Sequence, residues 1–256
     1  MIIFVTATYN EQKNIGRLLQ RTKEKAEGQG LDYKIIVVND GSTDDTERVV
    51  KSLMERIPLY LHSYYPNKGA GEAFRLGFRK ALEIGEAGDI IVTKEADNTS
   101  DLGTLAELIS KIRDGYDVAL ASCFAKGGRI LGVSPLRLIL SRGANILLKV
   151  FFPIKDVNTY TSFYRAYRYE ALKEIFDIYG DALIEESGFE CMPELLIKFS
   201  RNVKFKIAEV PTILDVNKRI GKSKMRIFKT IKGVLRIILR EGIIYRIKKR
   251  FKDEDN

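Results

Sequence analysis

Histidine is almost missing from this chain: His62 is the only one in 256 residues. A Ser-His-Asp or Cys-His hydrolase would have to be built on it, and no partner motif accompanies it, so that chemistry is disfavoured. Cysteine is nearly as scarce. Cys123 and Cys191 lie far apart with no Cys-x-x-Cys pairing, which excludes a zinc cluster, argues against a disulfide framework and fits a reducing compartment. No segment approaches the ~18 uninterrupted apolar residues of a membrane span. The longest candidate, residues 136–154, is broken by Arg137, Arg142 and Lys149. The opening Met1-Ile2-Ile3-Phe4-Val5 reads as a strand with no basic leader or cleavage pattern, so no secretory signal and a cytoplasmic location are expected. A P-loop is excluded, because no Gly-x-x-x-x-Gly-Lys-Ser/Thr occurs.

What is present is a chain with 45% apolar residues, enough for a sizeable core in one large α/β domain with an appendage. The net charge of +9 is unevenly placed. Residues 217–252 hold 14 Lys/Arg against the single acid Glu241, a local charge of +13, which leaves −4 on the rest. The body is mildly acidic and the tail strongly basic, so the basic balance does not mark a nucleic-acid-binding body.

Along the chain, residues 2–8 form a first apolar strand pattern and 33–38 a second. Amphipathic helix patterns carrying Ile15, Leu18 and Leu19, then Val49, Val50 and Leu53, follow each of them. A short edge strand at 59–62, a helix opening at Asn67-Lys68-Gly69-Ala70-Gly71, a strand at 90–93, a helix over 102–113 and a strand at 118–122 complete the series. Strands alternating with helices predict a mainly parallel sheet covered on both faces. Residues 127–153 read as helical and apolar, 156–169 as extended, 189–200 as a helix and 203–211 as a strand. The Gly69/Gly71 turn lacks the third glycine of a dinucleotide fingerprint; it is a helix start that would also let a ligand approach the backbone closely.

The most informative stretch is Glu95-Ala96-Asp97, just after the strand at 90–93. In extended chain, i and i+2 side chains point the same way, and strand ends in α/β sheets are where ligands bind. Two convergent carboxylates there suit a hard divalent cation, Mg²⁺ or Mn²⁺. Taken alone, the triplet is also what a solvated acidic loop looks like. Other residues have plain readings of their own: Asp40 and Ser42 as helix caps, Arg142 as a surface cation on an apolar helix, Lys224 as a solvated charge.

Their order argues further. Thr8-Tyr9-Asn10-Glu11, Asn39-Asp40-Gly41-Ser42, Asn67-Lys68-Gly69-Ala70-Gly71, Glu95-Ala96-Asp97, Ser141-Arg142-Gly143-Ala144-Asn145, Glu209-Val210-Pro211 and Gly221-Lys222-Ser223-Lys224 arrive in succession. The series resembles the family 2 inverting glycosyltransferases of GT-A fold, most closely the dolichol-phosphate mannose synthase and polyprenyl-phosphate glucosyltransferase branch, over residues 2 to 225. The resemblance implies a GT-A, Rossmann-like domain at residues 1–215 with a basic amphipathic tail at 216–256. It implies an inverting transfer of a hexose from a nucleotide sugar of GDP-mannose or UDP-glucose type to a polyprenyl or dolichyl phosphate. The alternatives are a same-fold glycosyltransferase with another sugar acceptor, whose general base would fall to Glu185 or Glu186, and a degenerate nucleotide-sugar-binding module.

Carried over by motif, the nucleotide-sugar site takes in Thr8, Tyr9, Glu11, Asn39, Asp40, Lys68, Glu95, Ala96 and Asp97, with Asp40 on the base. Metal and diphosphate fall to Glu95 and Asp97, where Glu95 stands for the family's first Asp. Asn39 likewise stands for an acid, and Cys123 for a phosphate-facing arginine. The acceptor phosphate falls to Arg142, Lys218, Ser223 and Lys224, and transfer itself to Asp97, Arg142 and Lys224. In the tail, Ile227, Ile231, Val234, Leu235 and Ile238 keep helical spacing between Lys229, Lys232, Arg236 and Arg240, with a further basic stretch over 243–251. Such a helix suits an anionic membrane surface, peripheral and on the cytoplasmic face. The alternative is that its apolar side docks on the body. A separate membrane subunit is a further possible partner; nucleic acid is not expected.

Overall fold

The structure is a computed structural model that describes residues 1–202, 204–224 and 227–244. Its centre is a seven-stranded sheet in the order β3-β2-β1-β4-β7-β5-β8. The strands are β1 (Ile2–Thr8), β2 (Tyr33–Asp40), β3 (Leu59–Tyr64), β4 (Ile90–Glu95), β5 (Val118–Ser122), β7 (Arg165–Arg168) and β8 (Ile207–Pro211). All neighbours run parallel except β7, which is antiparallel to both β4 and β5. A small pair, β6 (Arg129–Leu131) with β9 (Ile213–Asp215), stands beside the sheet. The mainly parallel α/β sheet is as the sequence predicts. The stretch expected to be extended from 156 forms a strand only at β7, after an irregular segment.

Both sheet faces are covered, and the period-two pattern of the strands decides which residue goes where. Phe4, Ile35, Val37 and Val92 point to one face, under α1 (Ile15–Gly28), α2 (Thr46–Lys51) and α4 (Leu105–Arg113). Ile3, Val5, Ile36, Val38 and Ile91 point to the other. There they meet α3 (Ala70–Ile84), α6 (Tyr169–Tyr179) and α7 (Cys191–Arg201), with α5 (Pro135–Phe151) and α8 (Ile227–Ile237) at the end of the layer. The α6 segment has no counterpart in the sequence reading, although Ala171, Leu172 and Ile175 follow a helical stripe. The buried guanidinium of Arg165 ties this half together by donating to the carbonyls of Ser162 (2.7 Å), Tyr160 (2.6 Å) and Met192 (2.9 Å).

The described part of the tail docks on the body. After α8 the chain continues as a wider π-type turn, Ile238–Ile244; the basic stretch from residue 245 on lies outside the described residues. Val234, Ile237 and Ile238 are buried in the core. Arg236 donates to Glu186 (2.7 Å), Arg240 to Glu194 (2.5 Å), and Arg201 pairs with Glu241. Glu185, Glu194 and Glu241 form a tight acidic group, and Lys198, Arg201 and Arg240 neutralise it. The apolar side expected to face a membrane is therefore divided: one part is core, while Phe228, Ile231, Leu235 and Leu239 remain exposed.

Candidate active site

A pocket of about 550 Å³ opens at the C-terminal ends of β1, β2 and β4, where open parallel sheets bind ligands. Thr8, Tyr9 and Glu11 enter it after β1, Asp40 from the end of β2, Asn67, Gly69 and Ala70 from the turn before α3, and Glu95, Ala96 and Asp97 from β4. Ser187 to Glu190, with Ser223, Lys224, Lys229 and Thr230 of the tail, close the other side.

The two acids at the end of β4 are held from behind. Ser100 Oγ donates to Glu95 Oε2 (2.8 Å), and the Ser100 carbonyl accepts from the buried Lys94 Nζ (2.8 Å). Burial pushes Lys94 down to about 8, with Glu95 the largest opposing influence. Burial also holds the Glu95 carboxyl above its ordinary value; Lys94 opposes this and Asp97 adds to it. Asp97 Oδ1 accepts from Thr99 N (3.0 Å) and Thr99 Oγ1 (2.7 Å). Its Oδ2 accepts both Nε (2.8 Å) and Nη2 of Arg219. The donor set is two carboxylates with oxygen atoms only, and the position already draws a cation onto Asp97. These residues fit a hard divalent ion; Glu95 and Asp97 would hold it.

Asp40, expected on the base, lines the pocket and is also held firmly by the protein itself. Its oxygens accept from Tyr64 Oη (2.9 Å), Asn67 Nδ2 (2.7 Å), Lys68 N (2.7 Å) and Gly69 N (2.9 Å). A carboxylate so engaged fixes the 67–69 turn as part of the pocket wall. Asn39 is buried and caps the following turn, accepting from Ser42 N (3.2 Å), and is not among the pocket-lining residues. Lys68 turns its ammonium over the Tyr64 ring (5.4 Å). Gly69 and Gly71 admit a close backbone approach, though the approaching backbone belongs to the protein: a side-chain carbon at either would collide with the carbonyls of Ser187 and Glu186. Thr8 presents a buried Oγ1 without a partner to the pocket.

Across the pocket mouth, residues 216–224 are strapped to the β1 end. Asn14 exchanges hydrogen bonds with both backbone groups of Ile220 (2.9 Å each). Arg17 donates to the Lys218 carbonyl. Lys224 Nζ reaches Glu11 (2.7 Å) and the Asn10 carbonyl (2.7 Å), and Arg137 donates to Ser223 Oγ (3.0 Å). Lys224, Ser223 and Glu11 thus meet in the pocket as expected. Lys218 does not line it; the cation delivered to the acids is its neighbour Arg219, overlooked in the sequence because the motif spacing pointed one residue earlier.

Arg142 lies apart from that group. It lines a neighbouring depression of about 340 Å³ with Cys123, Phe124, Asn145, Lys149 and Asn158, its guanidinium over the Phe124 ring (5.7 Å). Cys123 sits beside Arg142 there, and burial raises its thiol to about 11. Glu185 and Glu186, the candidate bases for a sugar acceptor, are committed to Lys198, Arg236 and Arg240 and do not line the pocket. The acid of this segment that does is Glu190.

Residues 3–176 match the sequence profile of Glycosyl transferase family 2. The chain is 30% identical over 249 residues to a dolichol-phosphate mannosyltransferase of Pyrococcus furiosus, covering 96% of this chain and 66% of that protein. It is 28% identical to a polyprenol monophosphomannose synthase of Mycolicibacterium smegmatis, covering 87% of this chain and 80% of the relative. The fold is similar to that of glucosyl-3-phosphoglycerate synthase from Mycobacterium tuberculosis in complex with Mn²⁺, uridine diphosphate and phosphoglyceric acid. That likeness has a TM-score of 0.61 at 21% identity and covers 92% of this chain and 77% of the other.

Proposed function

The chain belongs to glycosyl transferase family 2, and from that premise we propose that it moves a hexose from a nucleoside diphosphate donor to a polyprenyl phosphate. The observation that carries this reading is the pairing of two sites. One is a pocket at the strand ends with Glu95 and Asp97 in its wall. The other is a second depression bearing the cations Arg142 and Lys149, whose Cys123 is within electrostatic reach of Glu95. The first suits a donor whose diphosphate is neutralised by a divalent cation on the two carboxylates. The second suits an acceptor phosphate.

An acceptor phosphate oxygen is anionic near neutral pH, so the transfer needs positioning and charge stabilisation more than a strong base. That agrees with a chain whose lone histidine lies outside the pocket lining. The bound metal supplies Lewis-acid stabilisation of the leaving diphosphate. The residues do the rest: Thr8 and Tyr9 hold the nucleoside end, Asp40 keeps its wall rigid, Lys224 and Ser223 cover the phosphates, and Arg142 draws in the acceptor.

A lipid acceptor requires membrane contact, and among the described residues no helix is long and apolar enough to cross a membrane. The exposed apolar residues of α5 (Leu136, Ile139, Ile146, Val150) and of the tail (Phe228, Ile231, Leu235, Leu239) supply a surface for peripheral binding. Basic residues on the same tail favour an anionic leaflet, as on the cytoplasmic side. The test is transfer of radiolabel from GDP-mannose or UDP-glucose into polyprenyl phosphate in liposomes with Mn²⁺ or Mg²⁺. Label that stays in the aqueous phase with every donor would refute the reading.

A further inference from the structure

A buried carboxylate stands in the wall of the donor pocket with an oxygen that the protein leaves unsatisfied. Glu190, just before α7, is 2% exposed and lines the same pocket as Asp97 and Lys224. Its Oε2 has no hydrogen-bond partner. Buried polar atoms are nearly always paired, and an exception calls for a reason. Burial holds this carboxyl above its ordinary value, against the pull of nearby backbone N–H groups and of Lys229.

Two glycines make room for it. A side-chain carbon on Gly188 would lie 2.5 Å from Glu190 Oε2, and one on Gly233 would lie 2.5 Å from its Cγ and Cδ. Gly233 is inside α8, where glycine is the poorest helix former after proline. The helix thus gives up stability at the point where Glu190 sits, and the buried acid gives up more. Costs that converge on one side chain in a pocket wall make it a candidate functional position.

The surroundings say what would satisfy the free oxygen. Phe163 and Phe189 meet edge to face at 5.3 Å, with Phe74 at 5.5 Å from Phe163, and all three line the pocket near this wall. A carboxylate beside an apolar shelf repels a phosphate, and the nucleoside end is already given to Thr8 and Tyr9 on the β1 side of the pocket. The acid and shelf together suit a hexose, which carries a C–H face for the rings and hydroxyl donors for the acid.

We propose that Glu190 reads the transferred sugar: its Oε2 accepts from a hexose hydroxyl while the sugar's C–H face lies on the phenylalanine shelf. The proposal rests on the glycosyltransferase reading above. A site built to hydrogen-bond a hydroxyl discriminates strongly against a sugar that places it elsewhere.

The test compares the full chain with Glu190→Gln and Gly233→Ala. It measures Mn²⁺-dependent binding of free GDP and UDP by calorimetry. It also measures kcat/KM for epimeric donor pairs sharing a nucleotide, GDP-mannose with GDP-glucose and UDP-glucose with UDP-galactose. Both variants should bind the free nucleotide within about twofold of the parent and lose roughly tenfold or more of its preference between epimers. Gly233→Ala tests the same contact from the helix side and does not depend on Glu190→Gln folding well. An unchanged epimer ratio in both variants, or equal losses for free nucleotide and nucleotide sugar, overturns the role of Glu190 and leaves the glycosyltransferase reading intact. A parent chain that binds no nucleotide and transfers no sugar overturns that reading first.

Discussion

Arg219 grips Asp97 with two nitrogens on one carboxylate oxygen, Nε at 2.8 Å, from a loop 122 residues further along the chain. Both side chains are largely shielded. The guanidinium and a divalent ion would both draw on this carboxylate, so Arg219 and metal compete for Asp97. An ion pair of this kind is worth on the order of 1 kcal/mol, about fivefold in affinity. Arg219→Ala should therefore tighten Mn²⁺ binding to the donor-free protein by about that factor, read by paramagnetic resonance of free Mn²⁺. Weaker or unchanged binding would show that the two do not compete. Asp97→Ala should abolish both Mn²⁺ binding and transfer.

Behind the same site, Ser100 holds Glu95 and is itself held by Lys94. Groups that orient a metal ligand affect metal affinity by ten- to a hundredfold, so Ser100→Ala should weaken Mn²⁺ binding about tenfold while leaving the fold intact. The pH dependence has a defined sign. Because burial raises the Glu95 carboxyl, the folded chain holds that proton more tightly than the unfolded one. Stability is then lost as pH rises from the ordinary carboxylate value through the raised one. Over the same window Mn²⁺ affinity should climb as the competing proton leaves. Thermal unfolding of the metal-free chain against Glu95→Gln should show the first effect, and a pH series of Mn²⁺ titrations the second.

Much of this was legible in the sequence, and the misses share a cause. The order of strands and helices, and the placing of Glu95, Asp97, Glu11, Ser223 and Lys224 in one pocket, follow from local pattern and motif order. Asp40 and Arg142 have surroundings that local pattern does not disclose. The neighbours that saturate Asp40 lie 24 to 29 residues away, and the helix bearing Arg142 faces a separate depression. Arg219 and Glu190 are the reverse case. Each is an ordinary charged residue by local pattern, and only the long-range closure of the tail over the pocket gives it a role.

That closure rests on Glu194, whose carboxylate is fully buried between α7 and the tail. It accepts from Lys198 (2.7 Å), Arg240 (2.5 Å) and the backbone of Glu185 (3.0 Å) and Glu186 (2.8 Å). Removing one partner of a buried ion pair strands the others, at a cost of about 3–5 kcal/mol. Glu194→Ala should lower the Tm by roughly 10 °C and free the tail, raising its hydrogen exchange. A shift within about 2 °C would mean that apolar packing alone holds the tail.

The exposed apolar residues of α5 and α8 make the last prediction separable from folding. Phe228 is 87% exposed, Val150 71% and Ile139 66%, so none of them contributes much to the core. Their replacement should shift stability by no more than about 0.5 kcal/mol. At a membrane interface each would bury part of its surface, worth about 1 kcal/mol or roughly fivefold in partitioning. Ile139→Ser, Val150→Ser and Phe228→Ser should each lower sedimentation with phosphatidylserine-containing vesicles by about that factor, and the triple variant should release the protein almost wholly. Met54, a partly exposed residue just after α2 on the opposite layer, provides the control: Met54→Ser should bind vesicles as the parent does. Because Lys229, Lys232 and Arg236 lie on the same tail, raising the salt should weaken binding of the parent and of each variant alike. A triple variant that still sediments fully at high salt would place the membrane contact elsewhere on the molecule.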